Sequence, residues 1–269
     1  MREPFQKNGE SYVEIASWVQ DNEMLVAGFT TRENGVSEIP YASMNLGLHT
    51  NDSQSNILKN REILSEQLHM DLNQWVQGEQ IHATNIKLID EEDIGKGSKV
   101  YETAIKNVDG LITKQRNVLL TAVYADCVPL YFYDPIHHYI GIAHAGWRGT
   151  VGRIAEKMTQ YFISLGTDVK DLKIAIGPSI GKDQYEVDEN VISHIDDHFK
   201  AKTVTQLNDH HYLLDLKQLN KEILLQNDVL ASNIEITSYC TMTHQELFFS
   251  HRRDNGKTGR MLGFIGFRE

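Results

Sequence analysis

The sequence predicts a layered α/β (α+β) domain built from mixed β-sheets with helices packed outside. Three observations predict it. Several strand-like runs, among them "NVLLTAVYA" and "VPLYFYD", are apolar almost throughout, as strands are when both faces of a sheet are covered. These runs come in clusters and do not alternate strictly with helices, which argues against a purely parallel sheet. In 150–166, Val151, Ile154, Ala155, Met158, Phe162 and Leu165 recur at i, i+3, i+4, i+7 spacing, the stripe of a helix packed by one face.

Taken in order, "SYVEIASWV" and "EMLVAGFTT" read as strands, and 53–69 ("SQSNILKNREILSEQLH") as a helix. "NVLLTAVYA", "VPLYFYD" and "YIGIAHA" follow as strands, then the helix of 150–166 and the strand "LKIAIG". Helical segments at 188–199 and 216–229 flank the strand "HYLLDL", and "NIEITSYC" and "RMLGFIGF" close the chain as strands. No repeat, low-complexity stretch or Pro/Ser-rich linker divides the 269 residues. The expectation is one domain over 1–269, with 1–20 an N-terminal extension or an edge strand.

Composition narrows the function classes. Hydrophobic content of 41% and charged content of 23% are those of a soluble globular protein. A formal charge of −11 argues against nucleic acid or an anionic membrane as the main partner, though not against a small anion where basic residues cluster. No apolar run is long enough to span a bilayer, and the opening residues lack the apolar core of a secretory leader. The two cysteines, Cys127 and Cys240, suit neither a disulfide framework nor a CxxC site, so a reduced, cytoplasmic protein is expected.

Four stretches carry more chemistry than a turn requires. In "YADCVPLYF" (124–132), Asp126 and Cys127 sit between apolar runs, and Pro129 signals a strand break that turns a side chain out at a sheet end. In "HAGWRGT" (144–150), a strand gives way to a helix. Gly149 and Thr150 suffice for that connection, which leaves His144, Trp147 and Arg148 as surplus. The helix start, the glycine-freed amides and Arg148 suggest an anion pocket, with His144 a metal ligand or proton carrier at its mouth. In "GEQIHATNI" (78–86), His82 gains meaning only if it meets Cys127 and His144 in space. Three N/S ligands with one open position would then be the arrangement of a catalytic zinc. In "SHRRDNGKTGRM" (250–261), Arg252, Arg253, Lys257 and Arg260 form a basic cluster folded by the "DNG" turn, suited to clamping phosphate or carboxylate. A weaker signal is "HIDDH", where His194 and His198 fall one helical turn apart.

"ADCVPL", "HAGWRGT", "IGPSIG", "YEVD" and "SHRRDNGKTGRM", with "GFTTRENGVS" and "MNLGLHTND", resemble the YlmD/YfiH family over about 25–267. That family was long labelled multicopper polyphenol oxidoreductase, or laccase-like, and is now described as purine nucleoside phosphorylases with adenosine deaminase activity. The resemblance implies a layered fold distantly related to cysteine-dependent toxin deamidases. It implies a His–Cys–His metal set falling on His82, Cys127 and His144, with zinc expected and copper the alternative. It also implies that Arg148, Arg252, Arg253, Arg260 and Asn45 face the nucleoside and inorganic phosphate. Two departures stand out: Ala83 follows His82 where many relatives carry glycine, and Ser179 replaces a cysteine of some relatives.

Three chemistries compete. A multicopper oxidase recruits many histidines in His-x-His pairs, and this chain has twelve histidines and no such pair. A cysteine hydrolase with Cys127 as nucleophile, His144 as base and Asp126 or a distant acid as orienter leaves His82 and the arginines unexplained. Nucleoside phosphorolysis uses the arginines to hold phosphate, and deamination uses zinc to supply hydroxide, with Asp126 as the candidate proton shuttle.

Overall fold

The computed structural model describes residues 2–269. In chain order the elements are β1 (Phe5–Lys7), β2 (Tyr12–Ile15), α1 (Ala16–Asp21), β3 (Leu25–Thr30), α2 (Gln54–Leu68), β4 (Trp75–Gln77), β5 (Ile86–Leu88) and β6 (Gly110–Thr113). Then come β7 (Val118–Tyr124), β8 (Val128–Asp134), β9 (Tyr139–Ala145), α3 (Trp147–Val151), α4 (Ile154–Ser164), β10 (Lys173–Ile176) and β11 (Glu186–Asp188). The chain closes with α5 (Glu189–Ile192), α6 (Asp197–Thr203), β12 (Val204–Gln206), β13 (His211–Leu214), α7 (Leu216–Gln226), β14 (Ile234–Ile236) and β15 (Met261–Phe267).

Two six-stranded sheets carry the architecture, ordered β1-β2-β3-β15-β7-β4 and β14-β10-β8-β9-β6-β5, with a small third sheet β11-β13-β12 beside them. Both large sheets are mixed: β4–β7, β5–β6 and β10–β14 pair in parallel and the remaining ladders are antiparallel. β1 is the edge strand of the first sheet, so the opening residues extend it by two strands.

Strand alternation decides the layers. In β7, Leu120, Ala122 and Tyr124 pack between the sheets against Tyr131, Tyr133 and Ile142, whereas Leu119 and Val123 face outward onto α2 through Leu64 and Leu68. In the second sheet, Leu130, Phe132 and Ala143 face outward onto Met158 and Phe162 of α4 and Leu219 and Ile223 of α7. Two tyrosines stitch the sheets together: Tyr124 donates to Ala143 O at 3.1 Å and Tyr131 to Gly28 O at 2.8 Å. The result is four layers, helix–sheet–sheet–helix. With all four sheet faces covered, strands such as β7 and β8 have no solvent side, which is why their sequences are continuously apolar.

Three local expectations are corrected. "SYVEIASWV" is a strand only to Ile15, and its second half forms α1, which buries Trp18 beside Tyr133. The helix of 150–166 begins earlier, at Trp147, and breaks at Arg153, which adopts φ 68°. The helix of 188–199 is two short ones, so His194 and His198 share no helical face; His194 packs on Trp147 and His198 on Phe199. The basic stretch folds at the expected "DNG" turn, where Asn255 and Gly256 take φ 48° and 83°, and leads as a turn-rich loop into β15.

Candidate functional site

The break at 125–127 has a cause that no single strand reveals. β7 belongs to the first sheet and β8 to the second, so Ala125–Cys127 is where the chain crosses between them. Asp126 turns the corner with φ 84°, and Cys127 is left at the end of the inter-sheet core. His144 reaches the same place from β9. It pairs with Pro129 across the ladder and, two residues beyond Ile142, points to the inter-sheet side. His82 arrives from the loop between β4 and β5, held at φ 59°. The donor atoms of His82, Cys127 and His144 all lie within 4.8 Å of one another, and the two imidazoles meet edge to face with centroids 4.7 Å apart. Among the described residues, this is the one group of three or more such donors that converges.

Asp109, which precedes β6, organises the group. Its carboxylate pairs with His144 Nδ1 at 2.9 Å and accepts the backbone N–H groups of Ile81, His82 and Ala83 at 3.3, 3.0 and 2.8 Å. Its backbone carbonyl accepts His144 N–H at 2.7 Å. One buried carboxylate therefore orients one imidazole and clamps the loop carrying the other. With Nδ1 engaged, His144 presents Nε2 toward Cys127. Burial by itself would raise the Asp109 carboxyl, but His144 and the loop amides hold it below the usual range. Burial would likewise raise the Cys127 thiol, yet the two histidines lower it to about 6. Burial would depress His144, while the Cys127 thiolate and Asp109 raise it to about 9. At neutral pH the thiolate, the form that ligates metal, is the stable one.

The donor set fits a zinc-type ion, with nitrogen and sulfur ligands on three sides and a cavity on the fourth. Gly146 keeps that space clear, because a Cβ there would lie 3.1 Å from both Cys127 Sγ and His82 Cδ2. That close approach accounts for the first glycine of "HAGWRGT".

The cavity beyond the triad has a volume of about 530 Å³, the scale of a small organic ligand. Arg148 lies over the Trp147 ring at 4.3 Å and Arg252 over Tyr185 at 5.2 Å. Arg260 and His49 line the remaining wall with Gln77 and Tyr101. Gln80 fixes the floor: its amide donates to Val123 O and its carbonyl accepts Val123 N–H, both at 2.8 Å.

The predicted site residues separate accordingly. His82, Cys127, His144, Arg148, Arg252 and Arg260 all line the cavity. Arg253 does not reach it; its guanidinium donates to Thr241 O, Met242 O, Phe248 O and Asp254, and holds the basic loop together. Asn45 is likewise corrected: it is buried, bonds Thr50, Asp52 and Gly47, and accepts the Arg260 backbone N–H. Asp126 touches the cavity, but its carboxylate already accepts Thr241 Oγ1 at 2.6 Å, Ser250 Oγ at 3.0 Å and Arg252 N at 2.7 Å. It clasps loops together, and the proton-shuttle expectation gives way to those three bonds.

Sequence reasoning missed Asp109, His49, Gln77 and Tyr185. "VDG" before a strand reads as a turn, and nothing local marks its carboxylate as reaching His144. His49 stood inside the "LGLHTND" stretch, where its histidine was the available signal.

The chain is 41% identical to a Bacillus subtilis (strain 168) protein named purine nucleoside phosphorylase YlmD, covering 99% of this chain and 98% of that one. It is 42% identical over 91% of its length to the Geobacillus stearothermophilus protein of the same name, covering 90% of that protein. The crystal structure of Bacillus licheniformis hypothetical protein YfiH superposes with a TM-score of 0.94 at 40% identity, over 99% of this chain and 100% of that one. The crystal structure of YlmD from Geobacillus stearothermophilus gives 0.94 at 38% identity, over the whole of both chains. Residues 26–268 match the family model described as multi-copper polyphenol oxidoreductase laccase, and the chain belongs to that family, the one of YlmD and YfiH.

Proposed function

We propose that the protein is a zinc-dependent purine nucleoside phosphorylase with adenosine deaminase activity, with copper as the alternative metal. Adenosine, inosine and methylthioadenosine are its substrates in phosphorolysis. One observation carries the reading: a His–Cys–His donor set opens onto a cavity of nucleoside size lined by Arg148, Arg252, Arg260 and His49. The names of the relatives above support the same chemistry.

In phosphorolysis the bond from the sugar C1′ to the purine N9 breaks with its electron pair going to the base, and a phosphate oxygen bonds to C1′. The sugar is cationic as this happens, so the protein must hold an anion beside it and supply donors to the base. Arginine on that wall performs the first task, in a chain of net charge −11 that would otherwise repel phosphate. Trp147 and Tyr185 offer flat faces on which a purine can lie. In deamination the oxygen of water bonds to C6 and the C6–N bond breaks, the amino group leaving as ammonia with one proton of that water and the other staying on the base. A zinc ion held by His82, Cys127 and His144 would supply the activation of water that this attack needs. His144, fixed by Asp109, and His82 hold the metal side of the cavity in register with the substrate.

Incubation of adenosine with and without phosphate tests the reading. Adenine appearing only with phosphate, and inosine appearing without it, are the expected results; adenine release independent of phosphate overturns phosphorolysis. A second reading is favoured by the Cys127–His144–Asp109 alignment, which has the order of nucleophile, base and orienting acid in a cysteine hydrolase. Metal removal separates the two, since activity that survives complete chelation belongs to the thiol chemistry. The copper-oxidase reading is weakened by the single converging donor group among the described residues.

A further inference from the structure

Arg61 in α2 is fully buried and has no counter-ion among the described residues. Its donors go to neutral oxygens: Leu46 O at 3.0 and 2.7 Å, Gly97 O at 3.0 Å, Ser98 O at 2.8 Å and Gln77 Oε1 at 2.7 Å. A buried cation without a carboxylate is unfavourable in isolation, and burial lowers this one to about 9. Arginine has only donors, so Gln77 must present its oxygen to Arg61 and turn Nε2 away. That Nε2 is buried and has no partner among the described residues, and Gln77 forms part of the cavity wall.

A second arginine, Arg260, lies on the same stretch of backbone. Leu46, whose carbonyl receives Arg61, donates its own N–H to Arg260 O at 3.1 Å, and Asn45 Oδ1 accepts Arg260 N–H at 2.9 Å. The two arginines thus grip one loop, and that loop carries His49. Arg260 Nη1 donates to Thr258 O and Gly259 O, while its Nε and Nη2 make no hydrogen bond among the described residues. That free edge is the one arginine uses for a bidentate grip on an oxyanion. Burial and the charges of Arg260, Arg61, His144 and His82 hold His49 near 4, while Cys127 and Asp126 are the negative groups that reach Arg260. The carboxylate on the cavity wall, Asp126, is fully engaged by Thr241, Ser250 and Arg252. Arg148 and Arg252 differ in kind. Both are exposed and stacked on aromatic rings, and Arg252 also donates to Glu186 O.

We propose that the corner bounded by Gln77, His49 and Arg260, with Arg61 behind it, is the subsite for a tetrahedral phosphate oxyanion. Arg148 and Arg252, at the stacked aromatic walls, are not its phosphate clamp. That the anion is inorganic phosphate rests on the phosphorolysis proposed above; that the corner takes an anion does not.

Two measurements test it on the full-length, metal-loaded protein: calorimetric titration with inorganic phosphate in the absence of nucleoside, and the KM for phosphate in adenosine cleavage. Gln77→Glu keeps an acceptor for Arg61 but replaces the free donor by a negative charge, and Arg260→Gln removes the free fork. Each is expected to weaken phosphate about ten- to a hundred-fold, the loss of a charge-assisted hydrogen bond, with the KM for adenosine within about three-fold. Arg148→Gln and Arg252→Gln are expected to leave phosphate affinity within about three-fold, against the larger loss from a lost charge-assisted bond. Phosphate affinity that is unchanged in both corner variants, or that falls in the Arg148 or Arg252 variants instead, overturns the assignment. So does a wild-type protein that binds adenosine 5′-monophosphate but not inorganic phosphate. Phosphate binding lost in Gln77→Glu, together with a wild type that never makes ribose 1-phosphate, upholds the subsite and rejects the phosphorylase.

Discussion

Asp109 shows how much of a converging donor set can depend on a residue that does not line the cavity. Its carboxylate decides which nitrogen of His144 is free, and it supports the loop bearing His82. In Asp109→Asn the amide NH₂ can face His144 Nδ1, which reverses the imidazole tautomer and puts the proton on Nε2. Zinc affinity, read by competition with a chelator, should fall by about ten- to a hundred-fold. Unchanged affinity would mean that the pair is only structural. Gly146 gives a second test at this scale. In Gly146→Ala the new methyl would lie 3.1 Å from Cys127 Sγ and His82 Cδ2, so zinc content should drop while circular dichroism stays native. Full zinc occupancy in that variant would show that the triad tolerates spreading.

Elements place these residues by where they end. β7 and β8 are adjacent in sequence but lie in different sheets, so the link between them crosses the core and delivers Cys127 to the sheet ends. Gln80 completes the ladder there, because its side chain pairs with both backbone groups of Val123 just past the end of β4. Gln80→Ala leaves those groups without partners, and a loss of about 1–3 kcal/mol is expected in urea unfolding. The loop carrying His82 follows Gln80 by two residues, so zinc retention should fall as well. Phe162 in α4 separates stability from chemistry. Fully buried against Phe132, on the face of the second sheet away from the cavity, its replacement by alanine should cost about 3–5 kcal/mol and leave zinc affinity unchanged. α3 and α4 also show where periodicity misleads, since one apolar stripe runs through Val151 and Ile154 although Arg153 breaks the helix between them. The stripe reports the buried face and is blind to a single left-handed residue.

The whole molecule sets the pH range. Asp93, Asp109, Asp134 and Asp254 are each held below the ordinary carboxyl range, because hydrogen bonds and cationic partners outweigh the upward push of burial. A carboxyl depressed in the folded state contributes stability above its unfolded pKa, about 3.9, and loses it as pH falls through the folded value. The urea midpoint should therefore decline steeply below about pH 4. An acid-side profile that stays flat to pH 3 would contradict these assignments.

By itself the sequence determined the layered class, most strand positions, and the three residues whose donors converge. Continuous apolar runs reflect sheets covered on both faces, and a cysteine or histidine at the end of such a run is chemically conspicuous wherever it folds. Only the tertiary structure decided that His82, Cys127 and His144 share one point, that Asp109 orients them, and that Arg253 and Asn45 serve the scaffold. It also decided that Arg61 stands behind the cavity wall. Those outcomes depend on which strand ends meet when the two sheets stack and on where each donor's partner lies. In this chain the partners are as far apart as Asp126 and Arg252, too distant for any local pattern of residues to encode.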